Sequence, residues 1–347
     1  MNRDLAVLGT GSIGSCVGAD LTRAGHDVVL IDQWPAHVEA MKAHGLRIIM
    51  TSSEEALQTP VQALHLCEVC ALRRQFDIIF LAAKSYDTHW MVEYIKPYLK
   101  PNGVLVSLQN SLNDEWIAPI IGYERDMGSV VELSAKMFEP GLVKRNTDHF
   151  RTWFALGELH GRVTPRVEGV AQILSAAGKT EVTTNIWGAK WTKLVVNSMF
   201  MAICGILGIL DWEVTRNPKL LDLCIKLGKE SMEVGTTLGF RLEPIFGLSA
   251  EDFLGSSDEV LKKNLMVLIS HIGKESLNCI LQDHMKGRRS EVELLNGLVV
   301  RKGKEANVPT PLNEAIASLD KQVEQGTLKP DLSNLALLEK LILPSPP

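Results

Sequence analysis

The sequence lacks the features that membrane and nucleic-acid-binding proteins need. It has no run of about 18 consecutive apolar residues, the length that a membrane-spanning helix requires. It also has no segment rich in Lys and Arg, and its 36 basic and 41 acidic residues give a net charge of −5. Nucleic acids are bound by clustered positive charge. We therefore expect no membrane and no nucleic acid as partner, and a small molecule as the ligand.

Cysteine and metal motifs are also scarce. Six cysteines in 347 residues are too few for a disulfide framework in a chain of this length. Cys67 and Cys70 form one CxxC pair without the second pair that a zinc site needs, and the nine histidines include no HExxH motif. No signal-peptide apolar segment precedes the first strand. We expect a cytoplasmic protein without a metal. Residues 61–70 have a strand-like pattern, and we expect their two cysteines, Cys67 and Cys70, to be unlinked thiols.

The N-terminal segment has the pattern of a dinucleotide site. A short apolar run, Leu5 to Leu8, precedes a glycine-rich turn and a helix that ends near Gly25, and a second apolar run follows and ends at Asp32. Glycines in such a turn let the chain bend and let the backbone approach a pyrophosphate, which the helix N-terminus then binds. The acidic residue at the end of the second strand accepts a hydrogen bond from a ribose hydroxyl. The expected cofactor-binding residues are Gly9, Thr10, Gly11, Ser12, Ile13, Gly14 and Asp32.

Two later strands are expected to deliver polar residues to the same sheet edge. Residues 76–83 are almost entirely apolar, as in a strand buried on both faces of a parallel sheet, and Lys84 follows them. Residues 103–108 repeat this pattern and are followed by Asn110. In open α/β sheets ligands bind at the carboxyl ends of the strands.

The chain length and a change of pattern predict two domains. Strand and helix patterns alternate up to Thr184, whereas helical periodicity dominates afterwards, with Gly- or Pro-containing breaks. We expect a Rossmann-type α/β dinucleotide-binding domain at residues 1–184 and an all-α substrate-binding and catalytic domain at residues 185–347.

Candidate catalytic residues lie in the helical part. Lys193 and Asn197 are four residues apart and share one face of an apolar helix. Lys193 is either a lysine that extends from a half-buried helix to solvent or an ammonium that protonates a reduced carbonyl. Glu291 and Glu293, on a segment expected to open another helix, point to different faces, so that at most one turns inward; either could also be a solvated acid favoured by the helix dipole.

Seven motifs follow one another along the chain: GTGSIG at 9–14, LAAK at 81–84, QNxL at 109–112, WxKLxxN at 191–197, LQD at 281–283, SExxxxNG at 290–297 and NVPTPxN at 307–313. Taken together and in order, these motifs resemble the ketopantoate reductases from Leu5 to about Leu319. The resemblance implies reduction of a 2-oxo acid with NAD(P)H in a cleft between a Rossmann domain and a helical domain. It implies Lys193 as general acid and Glu291 as the acid that positions substrate and lysine.

The same resemblance implies roles for three further residues. Asn110 and Asn197 are expected to contact the substrate or the nicotinamide ribose, and Lys84 is expected to contact the cofactor.

Three substrate-side positions depart from the family pattern. Ser111 replaces the glycine of Gln-Asn-Gly, Met201 replaces a second asparagine, and Asn278-Cys279 replaces a serine pair that contacts the substrate carboxylate. We therefore expect Met201, Asn278 and Cys279 to contact substrate. Because Met201 removes hydrogen-bonding capacity and adds apolar surface, these changes favour a less polar or bulkier acyl group than that of ketopantoate.

The second strand end indicates the cofactor. An acid such as Asp32 accepts hydrogen bonds from a ribose 2′-hydroxyl and repels a 2′-phosphate, which favours NAD(H) over NADP(H). NADP(H) stays open if Asp32 turns away and His37 or Arg23 meets the phosphate instead.

Two function hypotheses remain after the sequence. The first is a reductase of ketopantoate or a related 2-oxo acid, in the pantothenate-biosynthesis family. The second is a non-catalytic dinucleotide sensor of the same fold, which has no use for a proton donor and therefore fits Lys193, Asn197 and Glu291 less well. A homodimer is an open expectation for either hypothesis.

Overall fold

The structure, a computed structural model, describes residues 3–51 and 55–342. It divides into two compact units, Met1–Lys190 and Trp191–Pro347. The division falls inside a helix that begins at Ile186, whereas the sequence pattern changes at Thr184. The domain boundary that we expect after Thr184 stays a prediction.

The first unit is an α/β fold, as the sequence predicts. Its helices are α1 (Ser12–Arg23), α2 (Pro35–His44), α3 (Thr88–Ile95), α4 (Asp114–Ile121) and α5 (Pro165–Leu174), and α6 begins at Ile186. Its strands are β1 (Leu5–Leu8), β2 (Val28–Asp32), β3 (Leu46–Met50), β4 (Ala56–Thr59), β5 (Gln62–His65), β6 (Phe76–Leu81), β7 (Leu99–Ser107), β8 (Asp126–Glu132), β9 (Ala135–Glu139), β10 (Leu142–Arg145), β11 (Trp153–Glu158) and β12 (Lys179–Val182).

The main sheet has eight strands in the order β12-β11-β8-β7-β6-β1-β2-β5. The run from β5 to β8 is parallel, and β11 is antiparallel to β8. The order reverses at β1, which lies between β2 and β6. Leu8 pairs with Ile31 and with Leu81, so the three central strands end together. Such a reversal is where open α/β sheets bind ligands.

The central strands are buried on both faces. Leu5 and Val7 belong to one apolar cluster and Ala6 and Leu8 to another, because successive strand residues point to opposite faces. Helices α1 and α5 contribute to the first cluster, and α3 and α4 contribute to the second. This double burial explains the continuous apolar runs that predicted a parallel sheet.

A second sheet of four strands, in the order β4-β3-β10-β9, was not expected from the sequence. The sequence predicts β3 as a continuation of the β-α-β alternation, but β3 pairs with β4 and β10 rather than with the main sheet. Its alternation of buried and exposed residues suits a sheet with one covered face. Helix α1 contacts both β9 and β10 of this sheet. The sequence also predicts a hairpin through Glu139-Pro140-Gly141, a turn signal between strand-like segments, and the β9–β10 turn confirms it.

The strand-like prediction for residues 61–70 is right only for its first part. Strand β5 ends at His65, and a 3₁₀ helix, Leu66–Ala71, carries both Cys67 and Cys70. Both thiols are free and exposed. The apolar alternation around the pair therefore reflects about two turns of 3₁₀ helix after a short strand rather than a longer strand.

The second unit is helical, as predicted. It contains the rest of α6 (Ile186–Leu207) and α7 (Pro218–Thr237), α8 (Ser257–Ile272), α9 (Cys279–Met285), α10 (Asn296–Ala306), α11 (Pro311–Glu324) and α12 (Leu335–Ile342). Helix α6 is long and apolar enough to pass a membrane-span test by length and composition, with a mean hydropathy of 1.2, but that window is 100% buried. Burial of this kind is typical of a core helix.

The helix boundaries follow the local breaks except near Glu291. Asn217 caps α7 through its side chain, and Pro311 opens α11. The sequence predicts a helix that opens at residues 287–291, but α10 begins at Asn296, after a 3₁₀ turn at Val292–Leu294. The Ser290 hydroxyl donates to Asp320 at 2.8 Å, which holds this segment outside the helix.

Candidate functional site

The turn after β1 shows which of its glycines the fold itself requires. Gly9 has a φ of +85°, and a Cβ there would lie 2.6 Å from the backbone nitrogen of Ala83. A Cβ on Gly14 would lie 2.2 Å from the Gly9 carbonyl oxygen. Both positions therefore need glycine for the turn and for close packing of α1.

Gly11 is different: apart from Gly11 itself and its two chain neighbours, no described residue has a heavy atom within 4 Å of the place that a Cβ would take. Its φ of −61° is ordinary for any residue. Neither packing nor backbone conformation explains the missing side chain. Gly11 is also the N-cap of α1, so it offers no side chain to cap the first amides. Open space beside an uncapped helix N-terminus fits the pyrophosphate of a dinucleotide.

The other residues of the turn support this opening. Ser12 is the first residue of α1, and Ile13 packs partly buried against the apolar cluster below the sheet. The Thr10 hydroxyl donates to Asp32 Oδ2 at 3.1 Å, and the Trp34 amide donates to Asp32 Oδ1 at 2.8 Å. Two hydrogen bonds thus fix the Asp32 carboxylate beside the glycine-rich turn. A carboxylate has about four acceptor positions, so Asp32 retains capacity for a ribose hydroxyl.

Of the two residues considered as partners for a 2′-phosphate, His37 is uncharged and Arg23 lies far from the N-terminus of α1. His37 is buried, its Nδ1 accepts from the Gly141 amide at 2.9 Å, and its Nε2 lies 3.3 Å from the Ser15 hydroxyl. Burial lowers the pKa of His37, so the ring is neutral at physiological pH. Arg23 lies in the last turn of α1, about 18 Å along the helix from its N-terminus.

Hydrogen bonds cross-link the ends of β6 and β7, where Lys84 and Asn110 lie. The Gln109 side-chain amide donates to the Ala83 carbonyl at 2.8 Å, and the Ser85 hydroxyl donates to the Asn110 carbonyl at 3.2 Å. Register pairs the last residues of the two strands, Leu81 with Ser107. These contacts place Lys84 and Asn110 on adjacent strand ends, as the sequence predicts.

Ser111 shows how this chain departs from Gln-Asn-Gly without losing its turn. Its φ is +77°, in the left-handed region that favours glycine. A residue with a side chain in that region is strained, and such strain is commonest at functional sites. The backbone of this loop therefore has the conformation that a glycine would adopt.

In the second unit, Lys193 and Asn197 lie on one face of α6, with exposed fractions of 8% and 0%. The Lys193 ammonium lies 4.6 Å from the ring centroid of Phe246, which is 3% exposed. Lys193 is therefore not the solvent-reaching lysine that the sequence left open. Buried lysines are rare, and this one contacts an aromatic face.

Two of the predicted substrate residues meet in the second unit. Cys279 Sγ lies 3.9 Å from Met201 Sδ, and Met201 is 9% exposed. Cys279 is partly buried. Met201 and Cys279 together form a small sulfur-containing apolar surface.

Asn278 has an internal role that the sequence did not suggest. Its Oδ1 accepts from the amides of Ile280 and Leu281, which caps α9, and its Nδ2 donates to Asp211 at 2.6 Å. Asp211 is fully buried, and that burial raises its pKa to about 6, although hydrogen bonds from Ser276 and Asn278 oppose the rise. Direct contact between Asn278 and substrate stays a prediction, and it would compete with these bonds.

Glu291 is 5% exposed, whereas the side chain of Glu293 is 40% exposed. The prediction that at most one of them turns inward is confirmed, and Glu291 is not a solvated first-turn acid. Its catalytic role stays a prediction.

Sequence reasoning missed a buried charge cluster in the first unit. The Lys190 ammonium forms an ion pair with Asp114 and donates to the Ser129 carbonyl at 3.3 Å. Asp126 lies nearby without exposure to solvent, and its burial, with the neighbouring Asp114 charge, raises its pKa well above the usual range. Lys190 sits in a pattern of apolar residues, and no local motif distinguishes it from a surface lysine.

Phe246 was also missed, because an aromatic residue in a loop carries no signal for contact with a lysine 53 positions earlier. Ser111 was noted as a departure, but its left-handed backbone could not be read from the sequence. Metal ligands give a simpler result: within the described ranges, no group of three or more His, Cys, Asp or Glu side chains could hold a metal ion.

Comparison with known proteins covers most of the chain. The family model for ketopantoate reductase PanE/ApbA matches residues 5–158, and the model for its C-terminal part matches residues 185–324. A 2-dehydropantoate 2-reductase from Archaeoglobus fulgidus is 29% identical over 92% of this chain and 97% of its own length.

Solved structures give the same result. A PanE/ApbA family ketopantoate reductase from Ralstonia eutropha JMP134 matches with a TM-score of 0.77 and 26% identity, over 93% of this chain and 99% of that one. A D-mandelate dehydrogenase with NADH and anilino(oxo)acetate shares the fold, with a TM-score of 0.80 and 23% identity over 93% of this chain and 99% of that one. Because the two family models together match well over half of its residues, this chain belongs to the ketopantoate reductase PanE/ApbA family of oxidoreductases.

Proposed function

We propose that this protein reduces a 2-oxo acid to the 2-hydroxy acid with NADH, and that Lys193 is the general acid. The observation that carries the proposal is the burial of the Lys193 ammonium, 8% exposed on an apolar helix. Burial of a charged group costs free energy, so a lysine in this position needs a compensating role. A proton donor for a carbonyl supplies that role.

The first unit supplies the residues that would bind the dinucleotide. The α1 amides and the open space at Gly11 accommodate the pyrophosphate. The Asp32 carboxylate accepts a hydrogen bond from a hydroxyl of the adenosine ribose. Lys84 and Asn110, on adjacent strand ends, contact the nicotinamide half. The bound cofactor supplies a hydride to the substrate carbonyl carbon, and the remaining chemistry belongs to the protein.

The second unit supplies the residues for proton transfer. Lys193 donates a proton from Nζ to the substrate carbonyl oxygen, and its positive charge stabilises the negative charge that develops there. Asn197, one turn along the same face of α6, binds the substrate or the nicotinamide ribose. Glu291, buried near the start of α10, orients substrate and lysine.

A preference for NADH over NADPH follows from the groups around the second strand end. Asp32 is fixed beside the glycine-rich turn, and His37 is neutral because burial lowers its pKa. A 2′-phosphate near Asp32 would meet like charge, at a cost of at most about 4 kcal/mol for two unit charges ~4 Å apart at an effective dielectric near 20. Solvent reduces this cost, but a quarter of it still gives about a fivefold preference.

The apolar pair Met201 and Cys279 supports a substrate with a less polar acyl group than that of ketopantoate. The two sulfur atoms lie 3.9 Å apart. A surface of this kind binds an apolar acyl group favourably, and its sulfur atoms form only weak hydrogen bonds with a substrate hydroxyl. We keep ketopantoate itself within the proposed substrate class.

Cytoplasmic location and a homodimeric state belong to the proposal as well. Light scattering of the purified protein tests the homodimer, and fractionation of the producing cells tests the location.

Steady-state kinetics with a panel of 2-oxo acids tests the proposed function. The panel contains ketopantoate, branched aliphatic 2-oxo acids and phenylglyoxylate, each with NADH and with NADPH. We expect turnover with at least one acid, a higher kcat/KM with NADH, and a higher kcat/KM for a less polar acid than for ketopantoate. NADH binding without turnover of any acid would instead support the sensor hypothesis.

Two reversions test the substrate assignment within an active enzyme. Met201→Asn and Cys279→Ser each restore a polar residue of the kind that the family pattern has. We expect each to raise the ratio of kcat/KM for ketopantoate to that for the preferred acid, by about 10-fold, since a hydrogen-bonding group favours the hydroxylated substrate. An unchanged ratio in both variants would remove this surface from substrate selection.

A further inference from the structure

Three non-glycine residues of the described chain have a positive φ: Ser111, Phe246 and Asn307. Asn307 is the left-handed C-cap of α10, a position that asparagine tolerates well. Ser111 adjoins Asn110 in the cofactor half. Phe246, with a φ of +61°, is a bulky residue for which this conformation is a genuine outlier. Its backbone strain therefore needs a structural or functional reason.

The turn that contains Phe246 is tight, and its first two residues, Ile245 and Phe246, are buried. Gly247 also has a positive φ, +74°, and the Leu248 amide donates to the Ile245 carbonyl at 3.1 Å. Two central residues with positive φ are typical of a type I′ turn, in which Asn-Gly is the preferred pair. Phe246 occupies the position where asparagine would be unstrained, and it is 3% exposed.

The reason for the strain lies on the face of the Phe246 ring. The Lys193 ammonium lies 4.6 Å from the ring centroid, within the distance at which an aromatic face attracts a cation. Both side chains are at least nine-tenths buried. Burial strengthens a cation–π contact because water no longer competes for the charge.

An aromatic face also suits a proton donor in a way that a carboxylate does not. It attracts the positive charge while accepting no proton, so the ammonium keeps its protons for the substrate. The side chain of lysine has four rotatable bonds, and a fixed ring restricts the positions that Nζ can adopt.

We propose that Phe246 is a positioning residue for the reductase reaction: its strained turn holds the ring against the Lys193 ammonium and fixes that ammonium for proton transfer. This inference rests on the proposed function, in which Lys193 is the proton donor. Phe246 contacts the lysine, and no contact with substrate or cofactor is required of it.

Replacement of the ring measures its contribution. Phe246→Leu keeps an apolar side chain and removes the aromatic face, and we expect kcat to fall about 3- to 30-fold with a smaller change in KM. Phe246→Tyr keeps the face and should retain kcat within about threefold. Loss of kcat in both variants to the same extent would contradict a role for the aromatic face.

Fluorination separates the electrostatic role from packing. Phenylalanine analogues with one, two and three ring fluorines at position 246 weaken the negative face progressively and change its shape little. We expect kcat to fall stepwise with fluorine number, and the thermal midpoint to fall by no more than a few degrees, because the series weakens one cation–π contact and leaves the packing in place. A constant kcat through the series would show that Phe246 acts by packing only and would overturn the inference.

Two controls keep the outcomes distinct. Phe240→Leu removes another aromatic ring of the second unit, which stacks on Trp191 with centroids 4.6 Å apart; we expect its kcat to stay within about threefold of wild type. If Lys193→Ala loses activity while the fluorinated series is flat, the inference fails and the proposed function stands. If Lys193→Ala retains activity, the proposed function itself fails.

Discussion

The two groups of candidate residues, one in each unit, use different parts of the chain. In the glycine-rich turn, the groups that matter are backbone amides and the absence of side chains, as at Gly11. On α6, the important group is a side chain, the buried ammonium of Lys193, which contacts a ring 53 residues later. A backbone site can be read from a short motif, whereas a side-chain site depends on distant contacts that only the fold brings together.

We expect the largest effect from a substitution at Lys193, which should impair the reaction without impairing cofactor binding. Lys193→Ala removes the proton donor, and we expect kcat/KM to fall about 10²- to 10⁴-fold. The Kd for NADH, measured by fluorescence titration, should stay near the wild-type value because the turn at Gly11 is intact.

A matched control is Lys226→Ala, which removes an exposed lysine of an i,i+4 pair with Asp222. We expect no change in kcat/KM from it. If Lys193→Ala stays within about threefold of wild type, Lys193 is not the general acid.

The glycines provide the next test, because their substitutions should separate binding from stability. Gly11→Ala enters open space, so we expect an unchanged thermal midpoint and an NADH affinity lower by on the order of tenfold. Gly9→Ala places a Cβ 2.6 Å from Ala83 at a φ of +85°, and we expect it to lower the free energy of unfolding by about 1–2 kcal/mol. Equal effects of the two substitutions on affinity and on stability would contradict the distinction.

Asp32 should give a smaller effect, on cofactor choice. Asp32→Asn keeps the size of the side chain and removes its charge, so the ratio of kcat/KM with NADH to that with NADPH should fall about fivefold. The control is Asp27→Asn. Asp27 directly precedes Val28, the first residue of β2, so it lies at the end of the strand opposite to Asp32, and its substitution should leave the ratio unchanged. Equal or better use of NADPH by the wild-type enzyme would refute the proposed preference.

The smallest effect concerns stability and lies outside the proposed site. Asp126 has a raised pKa in the folded state because it is buried beside Asp114. Between its ordinary pKa of 3.8 and the raised value, the folded state binds more protons than the unfolded state, so the free energy of unfolding falls as pH rises.

Asp126→Asn resembles the protonated acid and leaves the pair of Lys190 with Asp114 intact. We expect it to flatten this pH dependence and to raise the thermal midpoint at pH 8 by on the order of 2–4 °C. Asp222→Asn, at an exposed site, is the control. A parallel pH dependence in Asp126→Asn and wild type would show that Asp126 is ionised in the folded protein.

The sequence predicted the parallel sheet, the glycine-rich turn, the helical second unit and the hairpin at Gly141, because each depends on local periodicity or on a turn residue. It did not predict the second sheet, since pairing of β3 with β10 joins segments about 95 residues apart. The helix expected at Glu291 was wrong because Ser290 bonds to Asp320, a tertiary contact.

The site follows the same division. The positions of Asp32, Lys84 and Asn110 were predicted from the strands that precede them. That at most one of Glu291 and Glu293 turns inward was predicted from their spacing, whereas the choice of Glu291 came from the family resemblance. The engagement of Asn278 with Asp211 and the ring of Phe246 against Lys193 could not be predicted, because both partners are distant in sequence and no residue pattern links them.

Isotope transfer tests the central claim most directly. The enzyme is incubated with a 2-oxo acid and NADH deuterated at the transferring position of the nicotinamide ring, and the product acid is examined by mass spectrometry. The account predicts a 2-hydroxy acid that carries the deuterium at C2, formed in equal amount to the oxidised cofactor. Stoichiometric NADH binding with no labelled hydroxy acid from any member of the panel would contradict it.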